Sequence, residues 1–334
     1  MEKNKKTQLE DIAAALGLSK STVSRAISGK GRISTDTRER VLQCIKEMNY
    51  RPNMIAKSLS ENKTYNIGTV IPMDSAETEA PFFQTCLMGI SKECAVRDHD
   101  AVIIGTEKND LSQLKRVVDN RKVDGIIITR PVADGGMEKM LRENGMPFVV
   151  IGQSVDKDVV TVDSDHTAGC RELTSYLLMS NPPESIGLIL GSMEHTVNKS
   201  RLSGFEAAFA EAGSKPSVQL VYTDVESELQ FSKAMTALMK QQPACIICGD
   251  DMLCMRLLAE LSNLGLSVPD DIKVASFYDS VFLDSYLPPI TSLIYNATEL
   301  GATAVSQLMD MLEGEEVEKQ KLMHFEMLVR RSTM

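Results

Sequence analysis

Beyond Thr64 the chain alternates short, continuous apolar runs with longer amphipathic ones, and this alternation constrains the fold more than any other feature. The apolar runs are 67–71, 101–104, 125–128, 148–151, 186–190, 219–222, 245–248 and 273–277. Between them lie stretches of helical period at 82–94, 111–120, 169–178, 201–211, 228–240 and 252–264. A strand with one face in water alternates apolar and polar residues. A strand that is apolar throughout is covered on both faces, as in a parallel sheet flanked by helices. The pattern predicts a doubly wound α/β body, and at roughly 270 residues two such units rather than one. No short tandem repeat suggests a solenoid.

Charge divides the chain in a second way. Over residues 1–63 thirteen Lys and Arg stand against seven Asp and Glu, a net +6, whereas the remainder carries −16 and the whole chain −10. A basic head on an acidic body fits phosphate contact confined to the head, with the body repelled by DNA. Within the head, Leu9, Ile12, Ala13 and Leu16 form an i, i+3, i+4, i+7 apolar face that ends at Gly17. Ser19 then caps a second helix over 20–27 that buries Val23, Ala26 and Ile27. Two helices joined by Gly17-Leu18-Ser19 make a helix-turn-helix. A third starts at Ser34 or Thr35, is expected to bury Val41, Leu42, Ile45 and Met48, and stops before Arg51-Pro52, because the residue preceding proline disfavours helical geometry. The second helix leaves Lys20, Ser21, Thr22 and Arg25 outward, small and polar as a helix entering the major groove must be. Taken alone, the same residues also read as capping hydroxyls beside solvated cations.

The segments Leu9-Glu10-Asp11-Ile12-Ala13, Leu16-Gly17-Leu18-Ser19, Ser21-Thr22-Val23-Ser24-Arg25-Ala26-Ile27-Ser28-Gly29, Thr37-Arg38-Glu39-Arg40-Val41 and Met48-Asn49-Tyr50-Arg51-Pro52-Asn53 closely resemble the headpiece of lactose/galactose repressor (LacI/GalR) family transcription factors. The resemblance implies base reading by Lys20, Ser21 and Arg25. It implies positioning contacts, chiefly to phosphate, by Thr22, Ser34, Thr37 and Asn53. Residues 53–60 are too few for a stable helix in water, since nucleation is costly, and order only with a partner. They resemble the family's hinge helix, which pairs with its dimer mate in the minor groove. Leu59 matches the wedge that kinks the duplex, and Ala56 the close helix contact. A linker leucine packed on the body is the other reading of Leu59.

The body resembles the periplasmic-binding-protein-like core of the same family along essentially its full length. The matching segments are Pro81-Phe82-Phe83, Val123-Asp124-Gly125-Ile126-Ile127, Arg201-Leu202-Ser203-Gly204-Phe205, Val268-Pro269-Asp270-Asp271-Ile272, Pro288-Pro289-Ile290-Thr291 and Leu328-Val329-Arg330-Arg331-Ser332-Thr333. The implied organisation is an all-α helix-turn-helix headpiece over 1–52, a hinge helix and linker over 53–63, and an effector-binding and dimerisation core over 64–334. Its N-subdomain would take about 64–163 and 292–324, and its C-subdomain about 164–291 and 325–334.

Open α/β sheets bind ligands beyond the carboxyl ends of their strands. The segments read as loops there, among them 74–83, 129–131, 163–166, 191–201, 249–251 and 278–280, are polar and distinctive. Carried over by position, effector contacts fall on Pro81, Phe82, Thr129, Ser164, Arg201, Asp250, Tyr278 and Tyr295. Arg201 leads this set, because a guanidinium donates two parallel hydrogen bonds to vicinal hydroxyls, a carboxylate or a phosphate. A salt bridge bracing the subdomain is its alternative. Tyr278 stands where many relatives carry aspartate, and Asp250 where many carry asparagine. Trp is absent. Stacking on a ligand therefore falls to Phe82, Phe83, Tyr278 or Tyr295, unless those rings plug sheet ends. A sugar or sugar derivative is the expected effector, and these departures weaken the case for an unmodified sugar.

An enzyme fits less well. Cys245 and Cys248 lie in one apolar run, where residues three apart face opposite sides of a strand. The seven cysteines sit singly in apolar surroundings and are expected to be reduced and buried. His99, His166, His195 and His324 are too scattered to show metal-ligand spacing, so neither metal nor cofactor is expected. There is no Gly-rich phosphate loop and no G-x-S-x-G elbow. Asp250-Asp251 reads as a cation or acid–base pair, or as the cap of a following helix. A solute-binding protein would share the body, but the N-terminal residues form no apolar secretory segment. No apolar stretch approaches the roughly 20 residues needed to cross a bilayer. The expectation is a cytoplasmic, non-enzymatic DNA-binding regulator, at the nucleoid through its operator and by family default a repressor. It would act as a homodimer on a pseudopalindromic site, with no leucine heptad after the last strand to tether a tetramer. A small-molecule effector would control it, the alternative being a protein corepressor.

Overall fold

The computed structural model describes residues 7–28, 32–50, 58, 61–73, 81–107, 110–132, 134–180, 183–212 and 218–334. The chain splits into two compact units, Met1–Lys63 and Thr64–Met334.

The first unit holds α1 (Leu9–Leu16), α2 (Lys20–Ser28) and α3 (Thr35–Glu47). Gly17 ends α1 in the left-handed region at φ 65°, where its N–H reaches back to the carbonyls of Ala13 and Ala14, a geometry that favours glycine. Ile12, Ala13, Val23, Ala26, Val41 and Cys44 meet in one small core. Leu42, expected in that core, is 43% exposed instead. The buried stripe of α3 runs Val41, Cys44, with Ile45 and Met48 packed at its edge, so a leucine one residue past Val41 turns outward.

The second unit contains two six-stranded sheets of matching order. The first runs β11-β5-β4-β3-β1-β2, all parallel, where β1 is Asn66–Pro72, β2 Asp100–Thr106, β3 Gly125–Ile128, β4 Phe148–Ile151, β5 Thr161–Ser164 and β11 Gln320–Met323. The second runs β12-β10-β9-β8-β6-β7, where β6 is Ser185–Ile189, β7 Val218–Tyr222, β8 Cys245–Cys248, β9 Lys273–Ser276, β10 Thr291–Tyr295 and β12 Phe325–Leu328. In this sheet β12 alone is antiparallel to its neighbour, β10.

Both faces of each sheet are covered, which is why the central strands are apolar throughout. In β3, Ile127 packs toward α4 (Pro81–Val96) and α12 (Ala297–Glu313), whereas Ile126 and Ile128 pack toward α5 (Ser112–Asp119) and α6 (Gly136–Glu143). Each of these isoleucines is fully buried, contributing about 1.5–3 kcal/mol. In β8, Cys245 and Ile247 face α7 (His166–Ser180) and α8 (Thr196–Glu211), while Ile246 and Cys248 face α9 (Glu228–Met239) and α10 (Asp251–Asn263). All seven cysteines are free and buried. Helices α4 and α12 cross closely, since a Cβ on Gly301 would lie 2.3 Å from the Cys86 carbonyl oxygen.

Several details differ from the sequence reading. Strands β5, β10, β11 and β12 and helices α6, α11 (Val281–Ser285) and α12 were not among the expected elements. The chain crosses between subdomains after Ser164, after Tyr295 and after Met323. Residues 292–295 are thus in β10 of the second sheet and not at a return point near Ser292, and Ser164 ends a strand of the first. Pro81–Phe83, His166 and Thr196–Arg201 were read as loop and are helical. Among the described residues no helix is long and apolar enough to cross a membrane.

Candidate DNA-reading head and effector cleft

The head presents α2 through its cap. Ser19 Oγ accepts the Thr22 N–H at 3.2 Å, and the Ser21 and Thr22 hydroxyls each lie 2.8 Å from the same oxygen. Packing of Val23 and Ala26 inward leaves Lys20, Ser21 and Arg25 exposed and Thr22 half-buried. The Lys20 ammonium pairs with Glu10 on α1 and holds that carboxyl below its usual range, chiefly through the hydrogen bond between them. Both side chains are more than half exposed, and a surface pair of this kind opens readily to a competing partner. Ser34 caps α3 by accepting the Thr37 N–H at 3.2 Å, with the two hydroxyls 2.8 Å apart. The start of α3 thus presents hydroxyls at a helix N-terminus, a local geometry suited to phosphate. Asn53, Ala56 and Leu59 lie outside the described residues.

In the second unit, strand order reverses between β1 and β3 and again between β6 and β8, and ligand crevices open at such switch points. Thr129 follows β3, buried, its hydroxyl donating to the Val70 carbonyl at 2.7 Å. Pro81 and Phe82 open α4, and both are half-buried. Phe82 meets Tyr278 of the other subdomain edge-to-face, with centroids 6.0 Å apart, and Tyr278 lies near-parallel to Tyr295 at 6.2 Å. Tyr295 also contacts His166, at 4.4 Å between centroids. A backbone bridge between Val132 and His195 joins the two subdomains at the same end of the sheets.

Arg201 is the electrostatic centre of this cluster. It sits in the second turn of α8, 7% exposed, with Nη1 donating to Asn198 Oδ1 at 2.8 Å and Nε buried without a hydrogen-bond partner. Among the described residues no carboxylate forms an ion pair with it, so no bracing ion pair is seen there. Its charge is felt by Asp163, His166, Cys170, Tyr278 and Tyr295. Burial pushes the Asp163 carboxyl up to about 7 and the His166 imidazole down to about 3. Burial disfavours the charged form of both, so their 3.6 Å contact is not a bridge between two full charges. Burial also raises the Tyr278 and Tyr295 phenols.

The carboxylates after β8 divide their work. Asp250, expected to meet the effector, caps α10 through one oxygen, Oδ1 accepting the Leu253 N–H at 2.9 Å, and is half-buried. Asp251, one residue on, is 2% exposed with Oδ2 unpaired, and burial lifts it to about 6 despite the Ser280 hydroxyl beside it. Ser164 is buried at the end of β5, its N–H donating to Asp163 Oδ1 at 2.8 Å. Asp163, Asn198 and Asp251 were absent from the expected effector set. The run Asp163-Ser164-Asp165-His166 and the doubled Asp250-Asp251 were the available signals, but which residue of each faces inward depends on where the strand and helix begin. Asp279 is taken by Arg330, whose two terminal nitrogens reach its two oxygens at 2.7 and 3.0 Å. That clamp fixes the loop carrying Tyr278. Among the described residues no cluster of three or more His, Cys, Asp and Glu is placed to hold a metal.

Residues 8–53 match the model of bacterial regulatory proteins of the lacI family, and residues 178–334 match a periplasmic binding protein-like domain. The MalR transcriptional regulator of Streptococcus pneumoniae is 31% identical over 322 residues, covering 93% of this chain and 94% of MalR. The chain belongs to the lacI family. The HTH-type transcriptional repressor PurR of Pasteurella multocida is similar as well, 26% identical across 97% of this chain and 98% of its own. A solved complex of the regulator CelR with cellobiose superposes with a TM-score of 0.72 at 25% identity, over 98% of this chain and all of that one. The lacI-family chain described here is accordingly a helix-turn-helix transcriptional regulator with a ligand-binding core. Members of the family are DNA-binding regulators, not enzymes.

Proposed function

We propose that the protein is a cytoplasmic, homodimeric repressor that binds a pseudopalindromic operator and releases or grips it in response to a small molecule, a sugar or sugar derivative. Two heads occupy successive half-sites. Lys20, Ser21 and Arg25 read base edges, and Thr22, Ser34, Thr37 and Asn53 position the head on the backbone. Leu59 wedges the minor groove where paired hinges meet at Ala56. The effector lies between the subdomains, among Phe82, Thr129, Ser164, Arg201, Tyr278 and Tyr295, with Pro81 setting the start of α4. Asp250, at the start of α10, belongs to this set, with the buried Asp251 beside it. Subdomain closure around the effector then favours or forbids hinge pairing, a linkage between two sites on one chain.

The observation that carries the effector reading is Arg201, a buried guanidinium with no acidic partner among the described residues, whose charge acts on the Tyr278 and Tyr295 phenols. Leaving such a charge uncompensated is costly unless a ligand completes it. The cellobiose bound to CelR supports a sugar as the class. The test is selection of bound sequences from a random duplex pool, with and without sugars and phosphorylated metabolites. Enrichment of a two-fold symmetric site that changes with metabolites is expected. In the same assay Lys20→Ala and Ser21→Ala should alter preference at particular half-site positions, and an unchanged profile removes them as readers. Enrichment that responds to no metabolite moves control to a protein corepressor.

A further inference from the structure

We propose that Glu10 reads DNA together with Lys20, the two forming one unit that selects a G·C pair at a single position of each half-site. The proposal rests on the reading of Lys20 given above and adds an acid to the base-reading set. Glu10 lies on α1 and Lys20 opens α2, ten positions later, and the Lys20 ammonium donates to Glu10 Oε1 across the two helices. Both side chains are more than half exposed. The turn that carries Glu10 is held from both sides. The Gln8 N–H donates to Asp11 Oδ2 at 2.7 Å, and the Thr7 hydroxyl donates to the Met48 carbonyl at 3.1 Å. Ile12 and Ala13 of α1 pack with Val23 and Ala26 of α2 in the core of the head, which fixes one helix against the other. Asp11 thus serves the cap of α1, while its neighbour Glu10 reaches the first residue of the helix that enters the groove.

A carboxylate on a surface that approaches phosphates opposes binding, whereas the head as a whole, net +6 over residues 1–63, attracts them. That opposition falls on every sequence alike unless the carboxylate finds a donor, and in the major groove the donors are base amino groups. A lysine ammonium by itself is a point charge that any acceptor satisfies, phosphate included, so it discriminates weakly. Lys20 and Glu10 together present a donor next to an acceptor. The major-groove edge of a G·C pair is complementary to that arrangement: guanine N7 and O6 are adjacent acceptors for the ammonium, and the cytosine N4 amino group donates to the carboxylate. An A·T pair places its one amino group between two acceptors. A carboxylate reaching that donor meets an acceptor the ammonium leaves uncovered. The exposed ion pair is weak in water, so it opens onto the base pair at little cost.

The test selects bound sequences from a random duplex pool with full-length wild type, Lys20→Ala and Glu10→Ala. The selected site and its three substitutions at the affected pair are then titrated by fluorescence anisotropy at one fixed ionic strength. Wild type should prefer G·C at that position by about tenfold or more over any other pair. Glu10→Ala should reduce the preference to about threefold or less at the same position that Lys20→Ala alters, while binding random duplex at least as tightly as wild type does. Glu10 is exposed and alanine is a good helix former, so the variant keeps its fold, which its melting temperature checks. A role confined to the fold, offsetting a lysine at the positive end of α2, would leave base preference unchanged, and that result overturns the proposal. So does a gain in affinity that is uniform across sequences, an altered position other than the one Lys20 reads, or a selected pair other than G·C. An unchanged profile for Lys20→Ala removes Lys20 as a reader and the proposal with it, whereas a change for Lys20→Ala alone removes only Glu10.

Discussion

Removing the charge of Asp279 tests whether the C-terminal tail holds the Tyr278 loop in place. Asp279 accepts from both terminal nitrogens of Arg330 at 2.7 and 3.0 Å and from the Ser292 hydroxyl at 2.7 Å. The two side chains are 11% and 13% exposed. Breaking a fully buried pair by removing one partner costs about 3–5 kcal/mol, because the other charge is left desolvated. Here partial exposure and the remaining contacts of Arg330, to the Ile290 carbonyl at 2.8 Å and to the exposed Asp284 at 2.9 Å, reduce that figure. Asp279→Asn keeps the shape and should cost about 2–4 kcal/mol, and Arg330→Met a similar amount. The double variant leaves no stranded charge, so its cost should fall short of the sum of the singles by about 2 kcal/mol. Urea unfolding followed by far-UV circular dichroism at pH 7 measures all three, with the slope checked for a change in cooperativity. Singles costing less than about 0.5 kcal/mol, or a double that is simply additive, would refute the clamp.

Gly301→Ala puts a Cβ 2.3 Å from the Cys86 carbonyl oxygen, a backbone atom, so α4 and α12 must separate. A loss of about 1–3 kcal/mol is expected despite alanine's better helix propensity, and an unchanged or raised melting temperature would contradict the close crossing. Asp163 titrates near 7 in the folded chain against an ordinary 3.8, so the native state binds the extra proton. This carboxyl therefore makes the protein lose stability as pH rises from about 4 to about 7. Asp163→Asn should remove that loss, stabilising the protein relative to wild type at pH 8 more than at pH 4.5 by about 2–4 kcal/mol, and an equal effect at both pH values would show that Asp163 is not perturbed. Leu59→Ala should weaken binding to the selected operator far more than to random duplex, since only the correctly spaced heads bring the hinges together. Equal weakening on both DNAs, measured by fluorescence anisotropy, would contradict the wedge.

The strands legible in the sequence were those whose burial is complete on both faces. Gly125–Ile128, Phe148–Ile151 and Cys245–Cys248 are central, apolar at every residue, and their bounds match the apolar runs. Three of the four strands missed have other reasons to be strands. Gln320–Met323 and Phe325–Leu328 are short edges, half exposed, whose pairing comes from neighbours remote in sequence, β5 and β10. Thr161–Ser164 is buried but polar, so no continuous apolar run marks it. The helix-turn-helix was readable because its caps and apolar spacing are local. Leu42 was misplaced because a choice between adjacent positions on a short helix depends on how three helices meet.

What the sequence determined by itself was therefore whatever is written in local terms: the caps at Ser19 and Ser34, the apolar period of the head, the doubly covered strands, the charge divided between head and body, and the family motifs. The tertiary structure alone decided which polar residue is paired within the scaffold and which is buried with an atom left unpaired. Asp250 and Asp251 are chemically identical neighbours, yet one caps a helix and the other is buried with an unpaired oxygen, because a helix start turns successive side chains in different directions. Arg201 and Arg330 are the same residue type. Arg330 meets Asp279 across 51 positions of sequence and is neutralised, whereas Arg201 donates to the neutral Asn198 and has no ion-pair partner among the described residues. Burial and pairing are properties of the surroundings, and those surroundings are assembled only when the two sheets fold against their helices.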